Sequence, residues 1–233
     1  MERDWPAAAG SPLAERAVPD RAAPPSGAPA GPGNPLVGVL ALQGGVREHV
    51  QAFLEAGVSA REVRSPAHLD GISALVIPGG ESTTLMALVR RWGLDSPIIA
   101  LAREGLPVWG TCAGAVLLSR SVIESEHDDF DQACLGLAGV RALRNAFGRQ
   151  SHSFTQSIAI RGVDGPFPGV FIRAPLLQPI EEDPEILCCL DEGPVFVRQG
   201  NLWLSSFHPE LTGDDRVHRL FLRGSGIAAA TGR

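Results

Sequence analysis

The apolar positions of this chain fall into short runs, and glycine turns hand each run to a helix. Val37 to Leu42 is an apolar run of strand length, and Gln43-Gly44-Gly45 leads it into a helical pattern. There Val46, Val50, Phe53 and Leu54 recur at i, i+4, i+7 and i+8, and Gly57 ends the element. Ala74-Leu75-Val76-Ile77 reads as a second buried strand, followed by Pro78-Gly79-Gly80 and a helix from Thr83 to Trp92. Pro107-Val108-Trp109 is a third, followed by Gly110-Thr111-Cys112-Ala113-Gly114 and an apolar helix through Leu118. Strand, glycine turn and helix, three times over, predict parallel βαβ units. The expected class is α/β: three layers, with a mostly parallel central sheet and helices on both faces.

Beyond the acidic stretch Glu124 to Asp131 the pattern shortens. Strands are predicted at 138–144, 154–160, 169–173, 186–190, 194–198 and 201–206, a mixed sheet closed by a helix from Asp215 to Leu222. Residues 1–35 are dominated by Ala, Pro and Gly, a composition that cannot bury enough apolar surface to offset its ordering entropy. The predicted organisation is a disordered tail over 1–35, one domain over 36–224 and a flexible end over 225–233.

Composition narrows the function. At 233 residues and 44% hydrophobic, the chain can bury a sizeable core. A net charge of −6 lacks the basic footprint of a nucleic-acid binder. No apolar run approaches the roughly 20 residues needed to span a bilayer. Met1-Glu2-Arg3-Asp4 does not open a secretory signal. Cys112, Cys134, Cys188 and Cys189 show no C-x-x-C spacing, so neither a metal site nor a disulfide framework is expected, and a reducing cytoplasm fits. There is no lysine, which excludes a Schiff base on this chain.

The strongest chemical signal is Gly110-Thr111-Cys112-Ala113-Gly114, a G-x-nucleophile-x-G elbow where a buried strand meets a helix. The glycines allow the sharp turn that lifts the thiol out of the fold. The helix N-terminus favours a thiolate, and the Ala113 N–H is placed to meet an oxyanion. A lone cysteine is more often a core residue, but glycines at both −2 and +2 reverse that expectation.

A thiol nucleophile needs a base, and the base needs an orienting acceptor. In His208-Pro209-Glu210 the i and i+2 side chains of an extended segment project to one side, so Glu210 can hold His208. The bland alternative is a loop histidine beside a surface acid. The other histidines lack this context: His49 and His218 are expected to be solvated or at an interface, with His68, His127 and His152 in connections. Pro78-Gly79-Gly80-Glu81-Ser82 is a second candidate arm of the oxyanion hole, or else a turn that caps the next helix.

Taken in order, these segments resemble the class I glutamine amidotransferases, and within them the glutaminase branch that serves pyridoxal 5′-phosphate synthesis. The landmarks run from Gly38-Val39-Leu40-Ala41-Leu42-Gln43-Gly44 and Val46-Arg47-Glu48-His49 through Pro78–Thr84 and Gly110–Gly114. They continue with Arg144-Asn145-Ala146-Phe147-Gly148-Arg149-Gln150, Phe171-Ile172-Arg173-Ala174-Pro175 and Ser206–Thr212. Many class I amidotransferases carry Gln four residues after the nucleophile; Val116 stands there in this chain, and that branch likewise has an aliphatic residue.

The resemblance implies a flavodoxin-like three-layer fold and a γ-glutamyl thioester on Cys112, with His208 as acid and base held by Glu210. It implies that Gly80, Glu81, Ser82, Arg144, Ile172 and Arg173 contact L-glutamine, and that Gly80 and Ala113 form the oxyanion hole. It implies no cofactor, and a separate pyridoxal 5′-phosphate synthase subunit as partner. Nearness to the mouth of the site makes the helix of Arg47, Glu48 and His49 the expected docking face. Two other readings stay open on the residues alone: a stand-alone γ-glutamyl or peptide hydrolase of the same fold, and a non-catalytic regulatory module.

Overall fold

The structure, a computed structural model, describes residues 35–124, 132–144, 146–147 and 153–228. The expectations for the tail before Pro35, the acidic stretch from 125, Asn145, the segment 148–152 with His152, and the end from 229 lie outside the described residues.

The first half alternates strand and helix: β1 (Leu36–Leu40), α1 (Val46–Glu55), β2 (Ser59–Val63), β3 (Ala74–Ile77), α2 (Ser82–Arg91), α3 (Asp95–Arg103), β4 (Val108–Thr111) and α4 (Ala113–Leu118). The second half is richer in strand: β5 (Ser119–Ile123), β6 (Ala138–Leu143), β7 (Ser153–Ile158), β8 (Phe167–Ile172), β9 (Leu176–Pro179), β10 (Glu185–Leu190), β11 (Gly193–Gln199), β12 (Leu202–Ser205), and then α5 (Arg216–Gly224). Among the described residues these strands build a seven-stranded sheet in the order β10-β11-β12-β4-β3-β1-β2. From β12 to β2 every pairing is parallel, while β10 and β11 extend the sheet antiparallel. Smaller sheets, β5-β6-β9 and β7-β8, complete the second half. The predicted α/β architecture is present.

Strand alternation divides the core in two. Val37, Val39, Ala74, Val76, Trp109 and Trp203 pack with Phe53 of α1 and Val217 and Phe221 of α5. Their neighbours Leu40, Leu75, Ile77, Val108, Leu202 and Leu204 pack with Leu85 of α2, Ile98 of α3 and Leu117 of α4. The helical layers therefore lie on opposite faces of the sheet. Each fully buried Leu, Ile, Val or Phe contributes about 1.5–3 kcal/mol, so both faces anchor the strands that carry the site.

Some elements depart from expectation. β2 and α3 escaped the apolar pattern; β2 is an edge strand, and only Ala60 and Val63 of its five residues are buried. On α1 the inward face is His49 and Phe53 beside half-buried Val46 and Val50, whereas Leu54 is 44% exposed. α5 continues past Leu222 to Gly224, where a Cβ would stand 2.4 Å from the Trp203 ring. Glycine there lets the last turn close on the indole.

Candidate active site

The site follows from strand order. β12, β4, β3 and β1 are neighbours, and the carboxyl end of each emits one functional segment. These are His208 after β12, Cys112 after β4, Gly79-Gly80 after β3 and Gln43-Gly44 after β1. Open parallel sheets place ligands at that edge.

Cys112 sits at φ 48° and ψ −105°, a conformation that side chains rarely adopt. The flanking glycines are required by contact. A Cβ on Gly110 would stand 2.4 Å from the Gly114 carbonyl, and one on Gly114 only 1.9 Å from the Ile77 carbonyl oxygen. The Cys112 N–H donates to the Ser205 carbonyl at 2.7 Å, tying the elbow to β12, and its Sγ lies 3.7 Å from the Ile172 carbonyl.

His208 Nδ1 lies 2.8 Å from Glu210 Oε1. The approach is not that of an extended strand: Glu210 belongs to a 3₁₀ turn, Pro209–Leu211, that begins after His208. Burial disfavours the imidazolium, but hydrogen bonds with Cys112 and Glu210 outweigh it and push the His208 pKa up to about 10. Glu210 responds in the opposite sense. Its burial favours the neutral acid, yet His49 and His208 hold the carboxyl below the usual range. The site thus favours an imidazolium at His208, backed by the Glu210 carboxylate.

A cavity of about 280 Å³ opens over Cys112. Every residue predicted to touch substrate or oxyanion lines it: Gly80, Glu81, Ser82, Ala113, Arg144, Ile172 and Arg173, together with Val116. Arg173 is the second strained residue, at φ 45°, beside Ile172. The capping reading of the Gly79–Ser82 turn holds, because Glu81 caps α2, and the same turn lines the cavity. The Glu81 carboxylate accepts from Thr83 N at 3.1 Å and Thr84 N at 2.6 Å, and these donors lower its pKa against the opposing pull of partial burial.

Three residues escaped the sequence reading. Gln132 Oε1 accepts from Ser82 Oγ and from Arg144 Nη1, each at 3.1 Å, joining two predicted substrate contacts. It follows a low-information acidic stretch and carries no motif. His49 and His218, expected to be solvated or at an interface, are fully buried and face each other at 3.1 Å, and His49 Nε2 also lies 3.3 Å from buried Thr111. The hydrophobic period of α1 does contain the signal for His49, since it falls between Val46 and Phe53 on the inner face.

Among the described residues no cluster of His, Cys, Asp and Glu is arranged to hold a metal ion. The model of the SNO glutamine amidotransferase family matches residues 39–225. The pyridoxal 5′-phosphate synthase subunit PdxT of Mycolicibacterium vanbaalenii is 47% identical over 188 residues, covering 81% of this chain and 96% of that protein. PdxT of a Parafrankia species is 50% identical over 189 residues, covering 81% and 92%. A solved structure described as a glutamine amidotransferase superposes with a TM-score of 0.75 at 46% identity, covering 82% of this chain and 99% of that one. Identity at this level across nearly the whole length of each relative, with the thiol elbow and its histidine in one cavity, makes this chain a member of the SNO glutamine amidotransferase family.

Proposed function

We propose that the chain hydrolyses L-glutamine to L-glutamate and ammonia, and passes the ammonia to the synthase subunit of a pyridoxal 5′-phosphate synthase. One observation carries the reading: Cys112 and His208, backed by Glu210, share a cavity with the guanidinium-bearing Arg144 and Arg173. The likeness to PdxT over nearly its full length supports the partner.

The Cys112 thiolate attacks the carboxamide carbon, and the negative charge moves to the oxygen, facing the Gly80 and Ala113 turns. Losing one such donor typically costs about 10²- to 10³-fold in rate. The C–N bond breaks as the His208 imidazolium protonates the departing nitrogen, leaving ammonia and a γ-glutamyl thioester. Water then attacks, His208 takes its proton, and the C–S bond breaks to release glutamate and restore the thiolate. Arg173 has no ion-pair partner among the described residues and is the better placed guanidinium for the substrate carboxylate. Arg144 already contacts Gln132 and Glu124, and it supports that wall of the cavity.

The chain has no lysine, so Schiff-base chemistry on an aldehyde belongs to another polypeptide. Among the described residues no helix is long and apolar enough to cross a membrane. We place the protein in the cytoplasm, with residues 36–224 as the working domain and the tail outside catalysis. The synthase subunit docks over the exposed Arg47 and Glu48 side of α1. His49, on the opposite side, takes no part in that surface.

The deciding experiment is ammonia release from glutamine with and without the cognate synthase subunit. Low activity alone and severalfold stimulation are expected. Full activity in the isolated chain, unmoved by the subunit, favours the stand-alone hydrolase.

A further inference from the structure

Glu210 has two carboxylate oxygens, and His208 takes only one. Oε1 lies 2.8 Å from His208 Nδ1, while Oε2 makes no regular hydrogen bond and instead faces His49 Nε2 at 3.4 Å. His49 comes from α1 and is fully buried, as are Thr111 of β4 and His218 of α5. Its Nε2 is 3.3 Å from Thr111 Oγ1 and its Nδ1 is 3.1 Å from His218 Nε2. Trp109 meets the His49 ring edge to face, at 5.7 Å between centroids, and Phe53 meets His218 in the same way at 5.0 Å. Three elements therefore converge behind the acid.

The proton positions follow from what each nitrogen faces. Burial pulls both imidazoles toward the neutral form, against the opposing pull of Glu210 and Glu48 on His49. A neutral imidazole carries one proton. His218 Nδ1 has no hydrogen-bond partner among the described residues, so a proton there would strand a donor in the core at a cost of about 1–3 kcal/mol. The proton belongs on His218 Nε2, donating to His49 Nδ1. The His49 proton is then on Nε2, aimed at Glu210 Oε2 and Thr111 Oγ1.

We infer that His49 is a positioning residue: its Nε2–H, bonded to Thr111 Oγ1, presents its positive end to the second oxygen of Glu210 at 3.4 Å, which keeps the first on His208, and His218 fixes the tautomer that allows it. The inference rests on the reading of Cys112, His208 and Glu210 as a hydrolytic triad. An ordinary core histidine would share the burial but would not act on His208. Without His49, Glu210 can rotate, and the His208 imidazolium loses part of its support.

The test compares His49→Leu, which fills the space without a donor, with His49→Gln, whose amide can still reach the carboxylate. Glutamine hydrolysis is measured across pH in complex with the synthase subunit. His49→Leu should lower kcat by at least about tenfold, the scale on which partners that orient metal-ligating histidines act. KM should change little, and the alkaline limb should move to lower pH. His49→Gln should recover most of both. A folded His49→Leu with wild-type kcat and pH profile, or a His49→Gln no better than His49→Leu, overturns the inference. If His49→Leu does not fold, long-range proton–nitrogen spectra of the wild-type chain decide: protonated Nε2 with bare Nδ1 on His49 is expected, and the reverse tautomer overturns it. A wild-type complex that releases no ammonia would instead sink the functional reading, while the tautomer still tests the geometry.

Discussion

Gly79 is packed directly against His208: a Cβ built on Gly79 would stand 2.3 Å from Cε1 and 3.1 Å from Nδ1 of the imidazole. The turn after β3 therefore limits where the proposed base can sit. Gly79→Ala should push His208 off its line between Cys112 and Glu210. A displacement near 1 Å can cost about 10²-fold in rate, so kcat should fall on that scale while the thermal midpoint moves little. Wild-type kcat in Gly79→Ala would show that the imidazole has room to move.

The strained backbone at Cys112 separates stability from activity. At φ 48° and ψ −105° any side chain carries strain of about 1–3 kcal/mol, which glycine avoids at an entropy cost of about 0.5–1 kcal/mol. Both Cys112→Ala and Cys112→Gly should abolish hydrolysis. Cys112→Gly should unfold at the higher denaturant midpoint, by about 1 kcal/mol. An equally stable pair would mean that the elbow stores no strain.

Titration of His208 offers a check that needs no turnover. Its pKa rises from an ordinary 6.5 to about 10, because hydrogen bonds with Cys112 and Glu210 overcome burial. A raised folded-state pKa contributes stability fully below about pH 6.5, and that contribution is lost as pH climbs through about 10. Cys112→Ala removes one of those partners and leaves the burial, so the midpoint should drop. Proton NMR of the imidazole C–H reads it directly. An unchanged midpoint would rule out the thiolate as its main support.

The elbow and the His-Pro-Glu segment were legible because their chemistry depends on neighbours close in sequence. Gly110 and Gly114 flank Cys112, and His208 sits two residues from Glu210. The apolar runs of β1, β3 and β4 likewise showed a sheet covered on both faces, since parallel strands buried on both sides read as such runs. What stayed hidden depends on distant partners. A histidine on an amphipathic helix reads as solvated until Thr111, Glu210 and His218 are brought around it. Gln132 is anonymous in sequence, and its role exists only through Ser82 and Arg144. β2 was missed because an edge strand with mixed burial resembles a polar connection.

Arg47 and Glu48 are exposed and line a groove with Gln51, Glu55 and Gly213, on the side of α1 away from His49. Asp214 and Asp215 also border it, but Arg216 and Arg219 already pair with them. Arg47 is thus the cation of that groove without such an acidic partner among the described ion pairs. Exposed pairs contribute only about 0–1 kcal/mol to a fold, so reversing this charge should leave the thermal midpoint unchanged. Across a desolvated interface the same change places like charges together, which can cost several kcal/mol. Arg47→Glu should therefore keep the basal ammonia release of the isolated chain, yet lose most of the stimulation by the synthase subunit. The loss should appear as weaker binding in titration calorimetry, and more subunit should partly restore it. Undiminished stimulation at low subunit concentration would move the docking surface away from α1.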